Sequence, residues 1–163
     1  MGLEEYGFED FKILKEDWNL YKLKDSTYLK TRIILNWIAR GPQESYSFNI
    51  SNVITSVLPP QNLRGNPTTK PITKQELQQT IADEDLSWTT INEDWNTYEL
   101  KNGIKIHAKA VLVKVDRTTI CDNNGFPIYL IQSQVITKVN VPKELRDKKI
   151  SFKPSREHPT FTV

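Results

Sequence analysis

The chain has 163 residues, 37% of them hydrophobic and 26% charged, and a formal net charge of +2 at pH 7. This composition predicts an ordered chain that buries a core in one domain or two small ones. The small net charge argues against nucleic-acid binding driven by the overall field, and no apolar run reaches the roughly 20 residues of a membrane span.

The N-terminus and the cysteine content bear on the compartment. Residues 1–10 hold four acids and no bases, and they lack the basic start and apolar stretch of a signal peptide. Cys121 is the single cysteine, which excludes an internal disulfide framework and a cysteine-rich zinc site. These features predict a cytoplasmic protein with no membrane partner.

Two segments of the chain resemble each other. Residues 16–40 align without a gap on residues 93–117 with nine identities in 25 positions. Residues 51–64 align on residues 133–146 with eight identities in 14, and the offset grows from 77 to 82 because the second copy carries five extra residues. The pattern indicates one unit used twice.

In each copy, short runs of aromatic and β-branched residues are bounded by turn residues. This pattern predicts four strands per copy. Asp25-Ser26 and Asn102-Gly103 mark corresponding hairpin turns, and Asn-Gly between two strands is typical of a two-residue type I′ turn. The predicted strands are residues 11–14, 18–23, 28–39 and 46–57 in the first copy and 88–91, 95–100, 104–116 and 127–140 in the second.

The apolar alternation changes phase inside the long third strand of both copies. In the first copy Leu29 and Ile33 share one face and Ile38 lies on the other. In the second copy Ala110 shares a face with the apolar residues two and four positions before it, and Val115 lies on the opposite face. Because side chains alternate with period two, such a switch indicates a bulge or sharp bend. Bent strands that serve both faces are typical of a small closed barrel.

The connector between the copies contains one helix signal. Four prolines within residues 59–71 exclude a strand there. Thr73, with Glu76 three residues later, forms a capping box that predicts a short helix at residues 74–82 with Leu77 and Ile81 on its buried side. The two prolines of residues 150–163 predict a segment extended over the surface.

These elements predict an all-β, internally duplicated fold. Two tandem four-stranded, barrel-like repeats pack pseudo-symmetrically, with one short helix in the connector; a single eight-stranded barrel is the alternative. Each unit of about 55 residues is marginal alone, so both should fold as one cooperative body. The predicted divisions are repeat one at residues 1–66, the connector at 67–87, repeat two at 88–147 and a basic extended tail at 148–163.

Polar residues shared by the copies favour structural roles. The Asp and Asn residues should bond to nearby backbone, and the tryptophans between them should close a barrel end. The arginines should cap backbone carbonyls or pair with the two Asp residues. The shared residues are Asp17 and Asp94, Trp18 and Trp95, Asn19 and Asn96, Arg40 and Arg117, and Arg64 and Arg146.

The sequence contains no catalytic or cofactor motif. His107 and His158 lack a shared acidic partner at a fixed spacing. Cys121 precedes Asp122, Asn123, Asn124 and Gly125, which predict a hairpin loop with too few acids for calcium. Gly-rich phosphate loops and dinucleotide fingerprints are absent. The expectation is a non-enzymatic protein with no catalytic residue, metal or cofactor.

One candidate surface combines aromatic and basic side chains on the outward face of the hairpin formed by strands two and three of each copy. The primary hypothesis is a binding or scaffold module that uses its β edges or faces for a protein partner or for self-association. The alternative is single-stranded nucleic acid, because rings interleaved with bases stack nucleobases and neutralise phosphates. Lysines on exposed strands also prevent aggregation between edges. The candidate residues are Trp18, Lys22, Tyr28, Lys30, Arg32, Trp95, Lys105, His107 and Lys109.

Overall fold

The computed structural model describes the backbone of residues 2–155 and 160–162, with the side chains of all these residues except 51–53 and 160–162. The described residues form twelve strands, one α-helix and three 3-10 turns. The strands are β1 (Phe8–Glu9), β2 (Phe11–Lys15), β3 (Asn19–Leu23), β4 (Tyr28–Arg40), β5 (Ser45–Leu58), β6 (Ile81–Asp83), β7 (Trp88–Asn92), β8 (Asn96–Leu100), β9 (Lys105–Cys121), β10 (Pro127–Asn140), β11 (Ser151–Pro154) and β12 (Thr160–Thr162). Helix α1 is Lys74–Gln79, and the 3-10 turns are Leu3–Tyr6, Gln61–Leu63 and Lys143–Leu145.

The strands form two sheets. Sheet A has the order β11-β5-β4-β3-β7, with β1 paired to β4. Sheet B has the order β12-β10-β9-β8-β2, with β6 paired to β9. The predicted all-β class is confirmed, and one sheet curls into a half-barrel. Each sheet contains six strands where the sequence predicted four-stranded units, because the short strands β11 and β1 join sheet A and β12 and β6 join sheet B.

The first predicted strand of each copy pairs with the sheet of the other copy. β2 pairs with β8, so Phe11 lies opposite Leu100. β7 pairs with β3, so Trp88 lies opposite Leu23. Both pairings are antiparallel, and every partner in one is 77 residues from its counterpart in the other. The two sheets are therefore linked by a reciprocal exchange of strands.

The predicted bends are present in both long strands. β4 buries Leu35 and then Ile38, three positions later, and its register with β5 shifts next to Leu35. β9 buries Leu112 and then Val115, and its register with β10 shifts beside Ser133. A spacing of three between buried residues requires one extra residue in the alternation, which these irregularities supply.

The core divides into two main clusters, and each combines the first hairpin of one copy with the bent strands of the other. A smaller cluster around Ile33, Ala108 and Ala110 lies between them. The first cluster contains Tyr21, Leu23 and Leu29 from copy one with Leu112, Val115, Tyr129 and Ile131 from copy two, together with Leu86 of the connector. The second contains Tyr98, Leu100, Ile104 and Ile106 from copy two with Leu35, Ile38, Tyr46 and Phe48 from copy one.

The two hairpin turns have three-residue loops, which corrects the predicted type I′ geometry. Leu23 N–H bonds to Thr27 O at 2.8 Å, and Ser26 adopts a φ of 75°. In the second copy Leu100 N–H bonds to Ile104 O at 2.8 Å, with a single positive φ of 88° at Gly103. A type I′ turn needs two successive residues with positive φ. A type I turn followed by a single residue with positive φ instead forms a three-residue hairpin loop with a β-bulge.

Helix α1 has the predicted capping box. Glu76 N–H donates to Thr73 Oγ1 at 3.1 Å, and Thr73 N–H donates to the Glu76 carboxylate at 3.2 Å. Leu77 is buried as predicted, but the helix ends before Ile81, because Ile81 begins β6 and pairs with β9. Among the helices that the structure describes, none is long and apolar enough to cross a membrane.

The C-terminal segment extends both sheets, whereas the sequence predicted a segment lying over the surface. β11 pairs in parallel with the beginning of β5, and Phe152 stacks on Tyr46 with ring centres 4.8 Å apart. β12 pairs with β10 in the other sheet. The tail therefore contributes one outer strand to each sheet, β11 to sheet A and β12 to sheet B.

Candidate binding surfaces

Three of the predicted residues lie together on the outer face of sheet A. Lys30 Nζ lies 4.6 Å from the centre of the Trp18 ring, and the guanidinium carbon of Arg32 lies 5.8 Å from it. Both distances are within the range of a cation–π contact. We call this group the Trp18 cluster. Its side chains point outward because the alternating residues of β3 and β4 are buried.

Lys22 and Tyr28 extend the same face. They are directly opposite in the pairing of β3 with β4, and Lys22 Nζ lies 5.6 Å from the centre of the Tyr28 ring. The Tyr28 side chain is 39% exposed. The five residues predicted for the first copy therefore share one outward surface.

The second copy carries a corresponding group around Trp95. Lys109 Nζ lies 5.2 Å from the centre of the Trp95 ring, and Lys138 Nζ lies 4.4 Å from it. We call this group the Trp95 cluster. Lys138 was not predicted, because it belongs to β10 and reaches this face only through the pairing of β10 with β9.

His107 lies beside the Trp95 cluster in a positively charged setting. Its Nδ1 is 3.0 Å from Thr97 Oγ1, and its Nε2 is 3.1 Å from Asn140 Nδ2. Burial, followed by the charges of Lys138 and Lys105, lowers the pKa of the imidazole below its ordinary value. The lowered pKa favours the neutral imidazole, and Lys105 is the exposed base next to it.

Acidic residues neutralise part of each cluster. Arg32 lies 3.0 Å from Glu16, and Lys109 lies 4.0 Å from Glu93. Within the described part of the chain, Lys30 and Lys138 have no carboxylate within ion-pair distance. Each cluster thus has one lysine that contacts a tryptophan ring and has no carboxylate partner among the described residues.

The two glutamates also join the copies. Tyr21 O–H donates to Glu93 at 2.6 Å, and Tyr98 O–H donates to Glu16 at 2.8 Å. Burial, followed by the bond to glutamate, raises the pKa of both phenols. Sequence reasoning assigned no role to Glu16 or Glu93, although both precede the shared Asp-Trp-Asn run.

Asn19 and Asn96 also bond across the copies, where local backbone bonds were predicted. Asn19 Nδ2 donates to Ala110 O at 3.1 Å, and its Oδ1 accepts from Asp94 N–H at 3.2 Å. Asn96 makes the two corresponding bonds to the first copy. Asp94, in contrast, accepts locally from Trp95 N–H at 2.7 Å, as the sequence predicted.

Arg40 at the end of β4 and Arg117 within β9 pair with other acids than those predicted. Arg40 Nε lies 2.6 Å from Glu9, and Arg117 contacts Asp25 and Asp83. Glu9 and Asp83 belong to β1 and β6, two short strands without a sequence signal. The predicted capping of carbonyls is seen at the other shared arginines: Arg64 donates to Pro59 O and Arg146 to Val141 O, each at 3.3 Å.

On its outer side, β5 pairs with a described strand over only part of its length. β11 pairs only with residues 45–48, so no described strand pairs with residues 49–58 on that side. We call residues 49–58 the β5 free edge. Its sequence, NISNVITSVL, contains no charged residue and no proline, and the side chains of Ile54 and Leu58 are 43% and 47% exposed. The corresponding open part of β10, residues 134–140, carries Lys138.

A cavity of about 350 Å³ adjoins the β5 free edge. Residues of β5 line one side, and the beginning of β10 with the preceding hairpin loop lines the other. The cavity therefore lies between sheets A and B. Its lining includes Thr55, Val57, Asn124, Phe126, Ile128 and Ile131.

The described residues offer no metal centre: they contain no group of three His, Cys, Asp or Glu side chains placed to bind an ion. His158 lies outside the described residues. The segment after Cys121 forms the predicted hairpin loop, in which Asp122 accepts from the backbone N–H of Asn124 and Phe126 at 2.8 and 3.0 Å. The carboxylate of Asp122 thus has a structural role in this loop.

Comparisons with known proteins add no identity. The chain matches no protein-family model, no characterised protein and no solved structure.

Proposed function

We propose that this protein is a non-enzymatic binding module whose β5 free edge pairs with an extended strand of a protein partner. The observation that carries the proposal is the ten-residue edge of residues 49–58, which pairs with no described strand on its outer side and carries no charge. Such an edge is a template for β-strand addition, in which backbone bonds supply affinity and side-chain contacts supply specificity.

The other exposed edges support the choice of β5. Natural proteins protect open edges by keeping them short or by adding lysine or proline. β7 has five residues, β2 carries Lys12 and Lys15, and the open part of β10 carries Lys138. The β5 free edge lacks these protections, and its β-branched residues favour pairing.

The proposal includes an internal duplication with exchanged strands. Repeat one at residues 1–66 and repeat two at residues 88–147, joined by the connector at 67–87, both contribute to each core cluster. The matching of β2 with β7 and of Asn19 with Asn96 at a separation of 77 residues supports this view. The proposed duplication explains why the two sheets are similar. The β5 free edge differs from the corresponding edge of β10 because it carries no charged residue.

Replacing Ile54 by lysine tests the edge. Ile54→Lys places a charge beside the proposed partner strand, so recovery of protein partners from nuclease-treated native lysate should fall about tenfold. Ile136→Lys is the matched control, because Ile136 is 45% exposed in β10 and lies opposite Lys109 as Ile54 lies opposite Arg32. Equal recovery by Ile54→Lys and the wild type would contradict the proposal.

A second candidate function, binding of single-stranded nucleic acid, is favoured by the Trp18 and Trp95 clusters. Each presents a tryptophan ring beside a lysine without an acidic partner among the described residues. Stacking on such rings contributes about 1 to 3 kcal/mol per base and is combined with phosphate neutralisation. Glu16 and Glu93 neutralise part of the positive charge of the two clusters, and nucleic-acid binding is therefore the second candidate.

The variant Lys30→Glu with Lys138→Glu tests this candidate. It reverses one charge in each cluster and leaves intact Arg32, whose pairing with Glu16 joins it to buried Tyr98. If the clusters bind nucleic acid, the affinity of the wild type for a labelled oligonucleotide, measured by fluorescence anisotropy, should fall steeply as the salt concentration rises. The variant should not bind the oligonucleotide. Absent binding by the wild type, or unchanged binding by a folded variant, would exclude the candidate.

A further inference from the structure

We propose that the C-terminal segment is a displaceable strap that prevents a second copy of this chain from pairing with β5. We call residues 148–155 the C-terminal strap. Release of the strap exposes the beginning of β5, and two copies of the chain then associate through their β5 strands. This association requires no other protein and is therefore distinct from the strand addition proposed above.

The strap lies along the outer side of β5, where that strand begins. Its strand β11 pairs in parallel with residues 45–48. Beyond β11, Ser155 N–H donates to Phe48 O at 2.8 Å, and Asn49 Nδ2 donates to Ser155 Oγ at 2.7 Å. The occupant of this part of the β5 edge is therefore a segment of the same chain.

Few contacts hold the strap in place. β11 has four residues, of which three are exposed, and Phe152 stacks on Tyr46 with ring centres 4.8 Å apart. Ile150 and Phe152 pack against the second core cluster. On its other side β5 pairs with β4 over nearly its whole length. Elements with few buried contacts open at a lower free energy than the core, so the strap can leave while β4 and β5 stay paired.

β5 has the composition of a strand that pairs readily. Its fourteen residues include no charge and no proline, and they are rich in β-branched and aromatic types. An unprotected edge of this kind pairs with other chains. β11 places Lys153 opposite Ser47 and Pro154 opposite Phe48, and lysine and proline on an outermost strand oppose further pairing. The strap thus supplies a protection that the sequence of β5 lacks.

A second copy of β5 fits the edge that the strap covers. In an antiparallel pair about a twofold axis, residue 45 of one copy lies opposite residue 58 of the other, so all fourteen residues can pair. No like charges meet across this axis, because β5 has none. β11 occupies the outer side of residues 45–48, which is the place that the end of the second β5 must enter. The strap therefore blocks the full pairing, and a pair formed after its release contains two chains.

The experiment releases the strap in the full chain with the double variant Phe152→Asp, Ser155→Ala. A carboxylate is unfavourable against Tyr46 and the apolar cluster, and alanine removes the oxygen that accepts from Asn49. Hydrogen exchange of the amide of residue 155 should become about tenfold faster or more than in the wild type. The mass measured by light scattering should rise from that of one chain to that of two.

Lys149→Ala is the control for charge. It lowers the net charge by one, as Phe152→Asp does, at an exposed residue that precedes β11. This variant should keep the slow exchange of the amide of residue 155 and should remain a monomer like the wild type. A wild type or a Lys149→Ala variant that already forms the two-chain species would overturn the proposal.

Two further substitutions identify the surface that associates. Ile54→Lys, added to the double variant, places a positive charge from each copy in the β5 pair and should restore the monomer. Ile136→Lys, at an equally exposed position of β10, should leave the two-chain species unchanged. Association that persists with Ile54→Lys would show that the uncovered Tyr46 ring aggregates instead, which excludes pairing of β5. A double variant that stays monomeric, whether its amide exchange is fast or slow, would also overturn the proposal. Recovery of partners by the wild-type chain tests strand addition separately.

Discussion

Fragments 1–66 and 67–163 should not form stable folded monomers when expressed separately, and mixing them should restore the native fold. Each core cluster combines one hairpin with bent strands from the other fragment. Fragment 1–66 would therefore expose Tyr21 and Leu23 from one cluster and Tyr46 and Phe48 from the other. A chain of about 60 residues is marginal even with a complete core, so the loss of half of each cluster should abolish the monomeric fold.

The same exchange predicts what each fragment can do alone. Fragment 1–66 keeps β2 and β3, so two copies could exchange β2 reciprocally, as β2 and β7 do in the intact chain. Near-ultraviolet circular dichroism and light scattering distinguish the outcomes: an unfolded monomer or a dimer is consistent with the exchange. A monomeric fragment that unfolds cooperatively at the stability of the whole chain would contradict it.

Local pattern accounts for the strands predicted correctly. Alternation and turn residues identified eight strands, from β2 to β5 and from β7 to β10, and the change of phase located the bends near Leu35 and Leu112. These features depend on neighbours within a few residues, and each of them occurs in both of the similar segments. The helix cap at Thr73 was predictable for the same reason.

The pairing between copies could not be predicted, because register between distant strands leaves no local pattern. β2 and β8 have the same composition whether they pair with each other or not, so the exchange followed only from the structure. The short strands β1, β6, β11 and β12 have two to four residues, too few for a periodic signal. They are held by contacts such as Phe152 on Tyr46.

The candidate surfaces show the same limit. Parity along β3 and β4 placed Trp18, Lys30 and Arg32 on one face, because that inference needs a single hairpin. Lys138 and the β5 free edge were missed, because they depend on the arrangement of strands across the sheets. The absence of charge in residues 49–58 was visible, but its meaning depended on which strands pair with this edge.

Asn19→Ala and Asn96→Ala should each destabilise the protein by about 2 to 4 kcal/mol. The two side chains are 5% and 4% exposed. Asn96 Nδ2 donates to Ile33 O at 3.1 Å, and its Oδ1 accepts from Asp17 N–H at 3.3 Å, as Asn19 bonds to the second copy. Alanine removes these bonds and leaves buried backbone groups with fewer partners, a penalty larger than the net value of an exposed hydrogen bond.

Urea unfolding of the full chain measures both effects, and Asn92→Ala is the matched control. Asn92 also bonds across the copies, through Nδ2 to Trp18 O at 3.0 Å, but it is exposed. Water can replace that bond, so its loss should cost less than about 1 kcal/mol. Because Asn19 and Asn96 occupy equivalent positions in the exchange, their costs should agree with each other and exceed that of Asn92. Three equal values would show that burial of the amides contributes nothing, and a large cost at only one of them would contradict the equivalence of the two copies.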